Sequence, residues 1–261
     1  MNRRWKFSAL EFAAMWAETG EEHVPAPFLF TTDIELQADY ERACRQAVEH
    51  VRMSHGFDVD TVFAAINEPD IRIEVRGFDE RDRWRADGLI RILATRRGDT
   101  GYLVTAQPGH KYSTSSSFEV TECGALDLAG MVARALPDVS PGRRPDFVVD
   151  TGAEKTEIDY EFGRSSVHDT FEDSVTERAA AFYAAPGLCA GTIEIIQGSS
   201  IFGPRGISRF LLGWRDLEDD GRYVIDDRHP PTATAADRKQ LTRMINARIA
   251  EVVRAIKDER V

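Results

Sequence analysis

From Ile71 to Arg76 the chain alternates strictly, with Ile71, Ile73 and Val75 apolar and Arg72, Glu74 and Arg76 charged. Period two with one oily and one wet side predicts a half-buried β-strand. Short runs of strand character follow at residues 89–97, 101–106 and 117–122, and again at 192–198, 207–215 and 222–226. Elsewhere the apolar positions recur at spacings of three and four, the period of a helix with one buried face. Ser8 with Glu11 three residues on predicts a capped helix through SALEFAAMWAETG. Thr32 with Glu35 predicts a second capping box, opening a long helix from about 33 to 54 with Leu36, Tyr40, Ala43, Ala47 and Val51 inward. Asp58 is expected to cap a shorter helix that ends before Pro69, and further helices are expected at 125–136, 167–184 and 235–258. Phe171, Val175 and Phe182 share one side of the fifth helix; Leu241, Ile245, Ile249, Val252 and Ile256 form the inner face of the last. Residues 27–30 (PFLF) and 147–149 read as short extended pieces.

This order repeats. Helix, three-strand meander, helix occurs on both sides of VSPGRRP (139–145), the best linker in the chain. At an offset of about 120 residues Ile73-Glu74-Val75 answers Ile193-Glu194-Ile195, and Gly101-Tyr102-Leu103-Val104 answers Gly221-Arg222-Tyr223-Val224. Three strands alone barely bury a face. Joining the two meanders into one sheet under helices solves that problem. The expected fold is therefore α+β: a single domain over 1–261, with halves of about 1–138 and 146–261 forming a twisted antiparallel sheet with a pseudo-two-fold axis.

Composition narrows the function. A chain of 261 residues can bury roughly 70–75 % of its unfolded surface without staples. Forty-four acidic against 33 basic residues give a net charge of −11. That argues against nucleic acid or an anionic membrane as partner, since both reward clustered Lys and Arg. Cys44, Cys123 and Cys189 are too far apart in sequence for a metal motif and read as small buried hydrophobes of a reducing compartment. Glu11 interrupts the apolar run after Arg3, Arg4 and Lys6, so no secretory signal is read there, and no stretch has the length of a membrane span. A cytoplasmic location with no membrane insertion is the expectation.

Catalytic vocabulary is nearly absent. Of six histidines, His50 and His55 lie five apart after Glu49, whereas the zinc-protease helix needs four to place both on one face. His168 beside Asp169 and His229 before Pro230 read as surface and loop. The serines at 113 and 115–117 lack a strand-to-helix elbow, and Gly198, Gly203 and Gly206 lack the helix that a phosphate loop requires. The carboxylates at 219–220 and 226–227 do not form a calcium loop. No catalytic, metal or cofactor residue is assigned. Two features survive, and both have the character of contact surface. One is the turn Ile201-Phe202-Gly203-Pro204-Arg205-Gly206, whose proline and glycines can also aim its apolar residues inward. The other is the loop 78–88, carrying Arg81, Arg83, Trp84 and Arg85. Trp and Arg are the residues most often found as binding hot spots.

LEFAAMW (10–16), a glycine and PFLF open the chain; IEIIQGSSIFGPRG (193–206), GWRD (213–216) and DDGRYVI (219–225) follow late. In these segments the chain resembles the EspG family of type VII (ESX) secretion-associated proteins of actinobacteria. The resemblance implies a non-enzymatic cytosolic chaperone with a quasi-symmetric α+β fold, without cofactor, acting as monomer or homodimer. Its clients would be helical secreted proteins such as PE–PPE heterodimers. It further implies binding through the sheet face with Arg72 and Glu74, the loop with Arg81, Arg83, Trp84 and Arg85, and the 235–258 helix; Phe202 and Arg205 of the second-half turn join these candidates. The alternatives are a hydrolase or transferase built around His110 or His168, and a scaffold module of the secretion apparatus that has no client.

Overall fold

The computed structural model describes residues 3–109, 114–149, 170–227 and 230–259. Strand β1 (Arg4–Ser8) leads into α1 (Ala9–Ala17), α2 (Gln37–His55) and α3 (Asp58–Asn67). The first meander comprises β2 (Ile71–Asp79), β3 (Ile90–Arg97), β4 (Thr100–Pro108) and β5 (Ser115–Gly124), and α4 (Leu128–Ala135) closes it. The second half runs β6 (Phe147–Val148), α5 (Thr170–Ala184), β7 (Gly187–Gln197), β8 (Arg209–Leu217), β9 (Arg222–Asp226), β10 (Thr232–Ala235) and α6 (Arg238–Asp258).

All ten strands form one sheet in the order β1-β5-β4-β3-β2-β7-β8-β9-β10-β6, and every pairing is antiparallel. The order reads the same from both ends once β1 is matched with β6, β5 with β10, β4 with β9, β3 with β8 and β2 with β7. At the centre Glu74 stands opposite Glu194, and Ile73 and Val75 stand opposite Ile195 and Ile193. The two glutamates are the residues that the sequence repeat equates, so the pseudo-two-fold axis passes between them.

One face of the sheet carries α4 and α6, packed on each other and on Ile71, Ile73, Val75, Ile193, Ile195 and Trp214. Trp214 fits because Gly77 and Gly191 pair beneath it: a β-carbon at Gly77 would lie 2.7 Å from its ring. The opposite face is covered at its two ends. Helices α1–α3 stand over Leu93, Val104, Phe118 and Val120, where Phe12 stacks on Phe118 at 4.1 Å. Helix α5 brings Phe182 onto Phe147 and Tyr223.

The first helix begins as its sequence requires. Ser8 Oγ accepts from the Glu11 amide, and Glu11 Oε2 accepts from the Ser8 amide while Oε1 meets His50 of α2 at 2.7 Å. The second capping box does not form. Thr32 Oγ1 is engaged by the nearer Ile34 amide, the chain stays extended to Leu36, and α2 starts at Gln37 without a side-chain cap. Leu36, expected inward, is 67 % exposed. Asp58 is the first residue of α3 and not its cap, and PFLF forms no strand. Strands β1 and β10 were not expected; each borders the sheet's outermost pairing. His110, Ser113, His168, Asp169 and His229 lie outside the described residues.

The GWRD and GRYVI segments hold the second half together. Asp216 and Arg222 face each other across β8 and β9, both oxygens bound at 2.7 Å, with side chains 0 % and 1 % exposed. Arg222 also donates to the Pro137 carbonyl at 3.1 Å, and its backbone amide donates to the Ser140 carbonyl at 2.8 Å, which ties the linker to the sheet. Breaking such a pair from one side leaves a buried charge uncompensated, a cost of about 3–5 kcal/mol. Asp216→Asn or Arg222→Met should therefore lower the unfolding free energy by about that amount in urea titrations, whereas the joint change Asp216→Leu/Arg222→Met should recover most of the loss.

Candidate functional site

Side chains alternate across a strand, so the register of β2, β7 and β8 decides which residues share a face. Arg72, Glu74 and Arg76 lie with Thr192, Glu194 and Ile196, and these with Arg209, Leu211 and Gly213, on the face that α1–α3 and α5 cover only at its ends. Between those helices runs an open strip. Arg76 and Arg209 are exposed there, and Leu211 is 40 % exposed, unusual for an apolar residue at mid-strand.

A charge ladder lines this strip. Glu74 receives Arg72 at 3.0 Å and Arg76 at 2.6 Å, while Glu194 receives Arg209 at 3.2 Å and Arg76 at 3.9 Å. Two carboxylates opposite each other on adjacent strands would repel. The three arginines neutralise both and leave an excess of one positive charge, in a chain whose net charge is −11. Glu74 itself is only 4 % exposed beneath its two arginine partners, so the strip presents guanidinium planes outward.

The loop between β2 and β3 closes one end of the strip. Asp79 Oδ1 accepts from the Arg81 amide, Asp82 Oδ1 from the Trp84 amide, and the Arg85 amide donates to the Asp82 carbonyl. Arg85 pairs with Asp79 at 3.2 Å, and Arg83 lies 4.2 Å over the Phe78 ring. These contacts set the loop, and Trp84 projects from it 77 % exposed.

The turn between β7 and β8 lies at the opposite end. Gly198 donates to the Asp70 carbonyl just before β2, whereas the Trp84 loop follows the end of β2. Nine residues of strand separate them, roughly 25–30 Å. Ile201 and Phe202 are 70 % and 72 % exposed, so the proline and glycines do not turn them inward. The turn is braced from below: Glu259, just past α6, accepts from Gln197 Nε2 at 2.7 Å and from the Ile201 amide at 3.0 Å. The candidate residues thus fall into three places. Arg72 and Glu74 are on the strip, Arg81, Arg83, Trp84 and Arg85 at one end, and Phe202 and Arg205 at the other. Arg76, Glu194, Arg209 and Leu211 belong with the strip, although sequence reasoning did not single them out; the alternation that exposed Arg72 and Glu74 was the available signal.

Burial pushes the Cys123 and Cys189 thiols up to about 11, away from a reactive thiolate. All three cysteines are free. Among the described residues there is no group of His, Cys, Asp and Glu able to hold a metal ion. Nor, among those residues, is any helix long and apolar enough to cross a membrane. Among the described residues, those lining a cavity of about 460 Å³ beside Phe118 and one of about 250 Å³ beside Phe147 include no histidine or cysteine.

Comparison with known families matches residues 8–247 to the EspG family. The chain belongs to the EspG family, the chaperones of ESX (type VII) secretion. None of the curated proteins compared matches it. Among solved structures it is similar to the Mycobacterium tuberculosis type VII secretion system chaperone EspG5, solved in complex with a PE25–PPE41 dimer. The TM-score is 0.56 at 11 % identity, over 92 % of this chain and 93 % of that one. At that identity the likeness establishes a shared fold. In this EspG chain the segments that carried the resemblance have structural duties: Trp214, Arg215, Asp216, Arg222 and Tyr223 are all buried.

The Glu259 brace gives a pH signature. Hydrogen bonding from Gln197, aided by the Ile201 amide and Ser200, lowers its pKa below the usual 4.5. A carboxylate with a lowered folded pKa contributes above the unfolded value and loses that contribution as pH falls through the folded one. The protection factors of the amides in residues 199–206, taken relative to intrinsic exchange at the same pH, should therefore fall below about pH 4.5, and Glu259→Gln should show the lower protection already at neutral pH.

Proposed function

We propose that this EspG chain is a cytosolic, non-enzymatic holder of PE–PPE-like helical heterodimers, which it binds along the open strip before export. The reading rests on the strip: a solvent-facing stretch of central sheet, flanked by helices, lined by guanidinium groups and bordered by the exposed Trp84. The similar chaperone EspG5 was solved with a PE25–PPE41 dimer, and the proposal extends that kind of client to this chain.

The dimensions suit a helix laid along the strip. About 18 helical residues span the roughly 27 Å between the Trp84 loop and the Phe202 turn. A client helix in that orientation meets Leu211 and the arginine stems with its apolar side. Its acidic residues find register against Arg72, Arg76 and Arg209. Trp84 and Phe202 then cap the two ends. Charges at the rim give orientation and speed of encounter more than affinity, which suits a chaperone that must release its client.

Co-purification of the tagged chain from its native cytosol, read by mass spectrometry, is expected to recover a helical secreted protein as the main companion. Recovery of membrane components of the secretion apparatus alone would favour the scaffold reading. With that companion as probe, Trp84→Ala should weaken binding by about 2 kcal/mol, roughly 30-fold, and Arg83→Glu should lower it further. Unchanged binding by both variants, each still folded, would remove the loop from the interface.

A further inference from the structure

Glu80 is the first residue beyond β2, and its carboxylate turns back into the protein. Arg215 Nε meets both its oxygens, at 2.8 and 3.0 Å, and Nη2 meets Oε2 at 2.7 Å. The same guanidinium donates through Nη2 to the Ala185 carbonyl at 2.7 Å and through Nη1 to the Phe182 carbonyl, and lies 5.5 Å from the Phe182 ring. These carbonyls close the C-terminal end of α5, where a cation is favoured by the helix dipole. Both side chains are largely withdrawn from water, Arg215 at 11 % and Glu80 at 18 % exposure. A planar fork with five donors can serve a carboxylate and two carbonyls at once; an ammonium cannot hold that geometry.

Gly187 completes the arrangement. A β-carbon there would collide with the Glu80 carboxylate, so the bare backbone at the start of β7 is what lets Glu80 reach Arg215. Glu80 is further fixed by its amide, which donates to the Leu188 carbonyl at 3.1 Å.

We infer that Arg215 is a positioning residue that locks the Trp84 loop to the C-terminal end of α5, so that the loop and the α5 wall of the open strip move as one unit. Its consequence for client binding rests on the function proposed above; the mechanical link does not. Three substitutions separate the parts of the lock. Glu80→Gln removes the charge of the loop partner, and Gly187→Ala displaces that partner while both charged residues stay in the chain. Arg215→Lys removes the fork that also serves α5.

Limited trypsin digestion of the purified chain reads the link without any client, because cleavage requires local opening. Arg81, Arg83 and Arg85 report on the loop and Arg178 on α5. Glu80→Gln and Gly187→Ala are expected to raise loop cleavage about tenfold while cleavage after Arg178 stays at the wild-type rate. Arg215→Lys is expected to raise both. A general loss of stability gives another pattern, with every site accelerating together; Asp216→Asn supplies that control. Loop cleavage unchanged in Glu80→Gln and Gly187→Ala, or a rise at all sites matched by a fall in Tm, would overturn the inference. Client retention by Trp84→Ala is scored separately, so a failure of the client reading leaves the digestion result in force.

Discussion

Everything in this molecule hangs on the antiparallel pairing of β2 with β7. That pairing joins two meanders, each too small to bury a face alone, into a ten-stranded sheet. Its apolar side places Ile73, Val75, Ile193 and Ile195 beneath α4 and α6, each wholly withdrawn from water and worth about 1.5–3 kcal/mol. The other face of the same two strands holds Glu74 and Glu194 with their arginines, so one pairing builds both the core and the open strip. Because the strands run in opposite directions, the axis also sends the two connecting loops to opposite ends. That is why Trp84 and Phe202 bracket the strip and do not meet.

The repeat made much of this legible in advance. Ile71–Arg76 alternates so cleanly that it could be read as a strand with one wet face, and the match of Glu74 with Glu194 predicted a pseudo-two-fold sheet, whose axis the strand register then placed. Two strands near the sheet's edges were harder. β1 does alternate, with Trp5 and Phe7 buried and Arg4 and Lys6 exposed, but it runs directly into the Ser8 cap and its charges resemble a leader. β10 is Thr-Ala-Thr-Ala, whose small side chains carry little strand signal; only its place beside β9 makes it a strand. Thr32 failed as a cap because a hydroxyl can satisfy a near amide as well as a distant one, and local sequence does not rank the two.

For the site, residue types were legible and their partners were not. Arg215 and Glu80 are 135 residues apart, and Gly187 matters only because both converge on it. The same holds for Gln197, Glu259 and the Ile201 turn. GWRD and GRYVI stand out in sequence because they specify buried polar pairs, which constrain a fold tightly, whereas the surface that a client would touch is an ordinary ladder of arginine and glutamate. Family identity is therefore written in the interior, and the proposed client surface lies on the strip.

Hydroxyl-radical footprinting of the chain with and without its co-purified helical client tests the central claim most directly, since it reads side chains on every face at once. Protection of Trp84 and Leu211, with Leu126 beside α4 as reactive as in the free protein, is the result expected for a client on the strip. Protection of Leu126, with Trp84 and Leu211 still reactive, would contradict it.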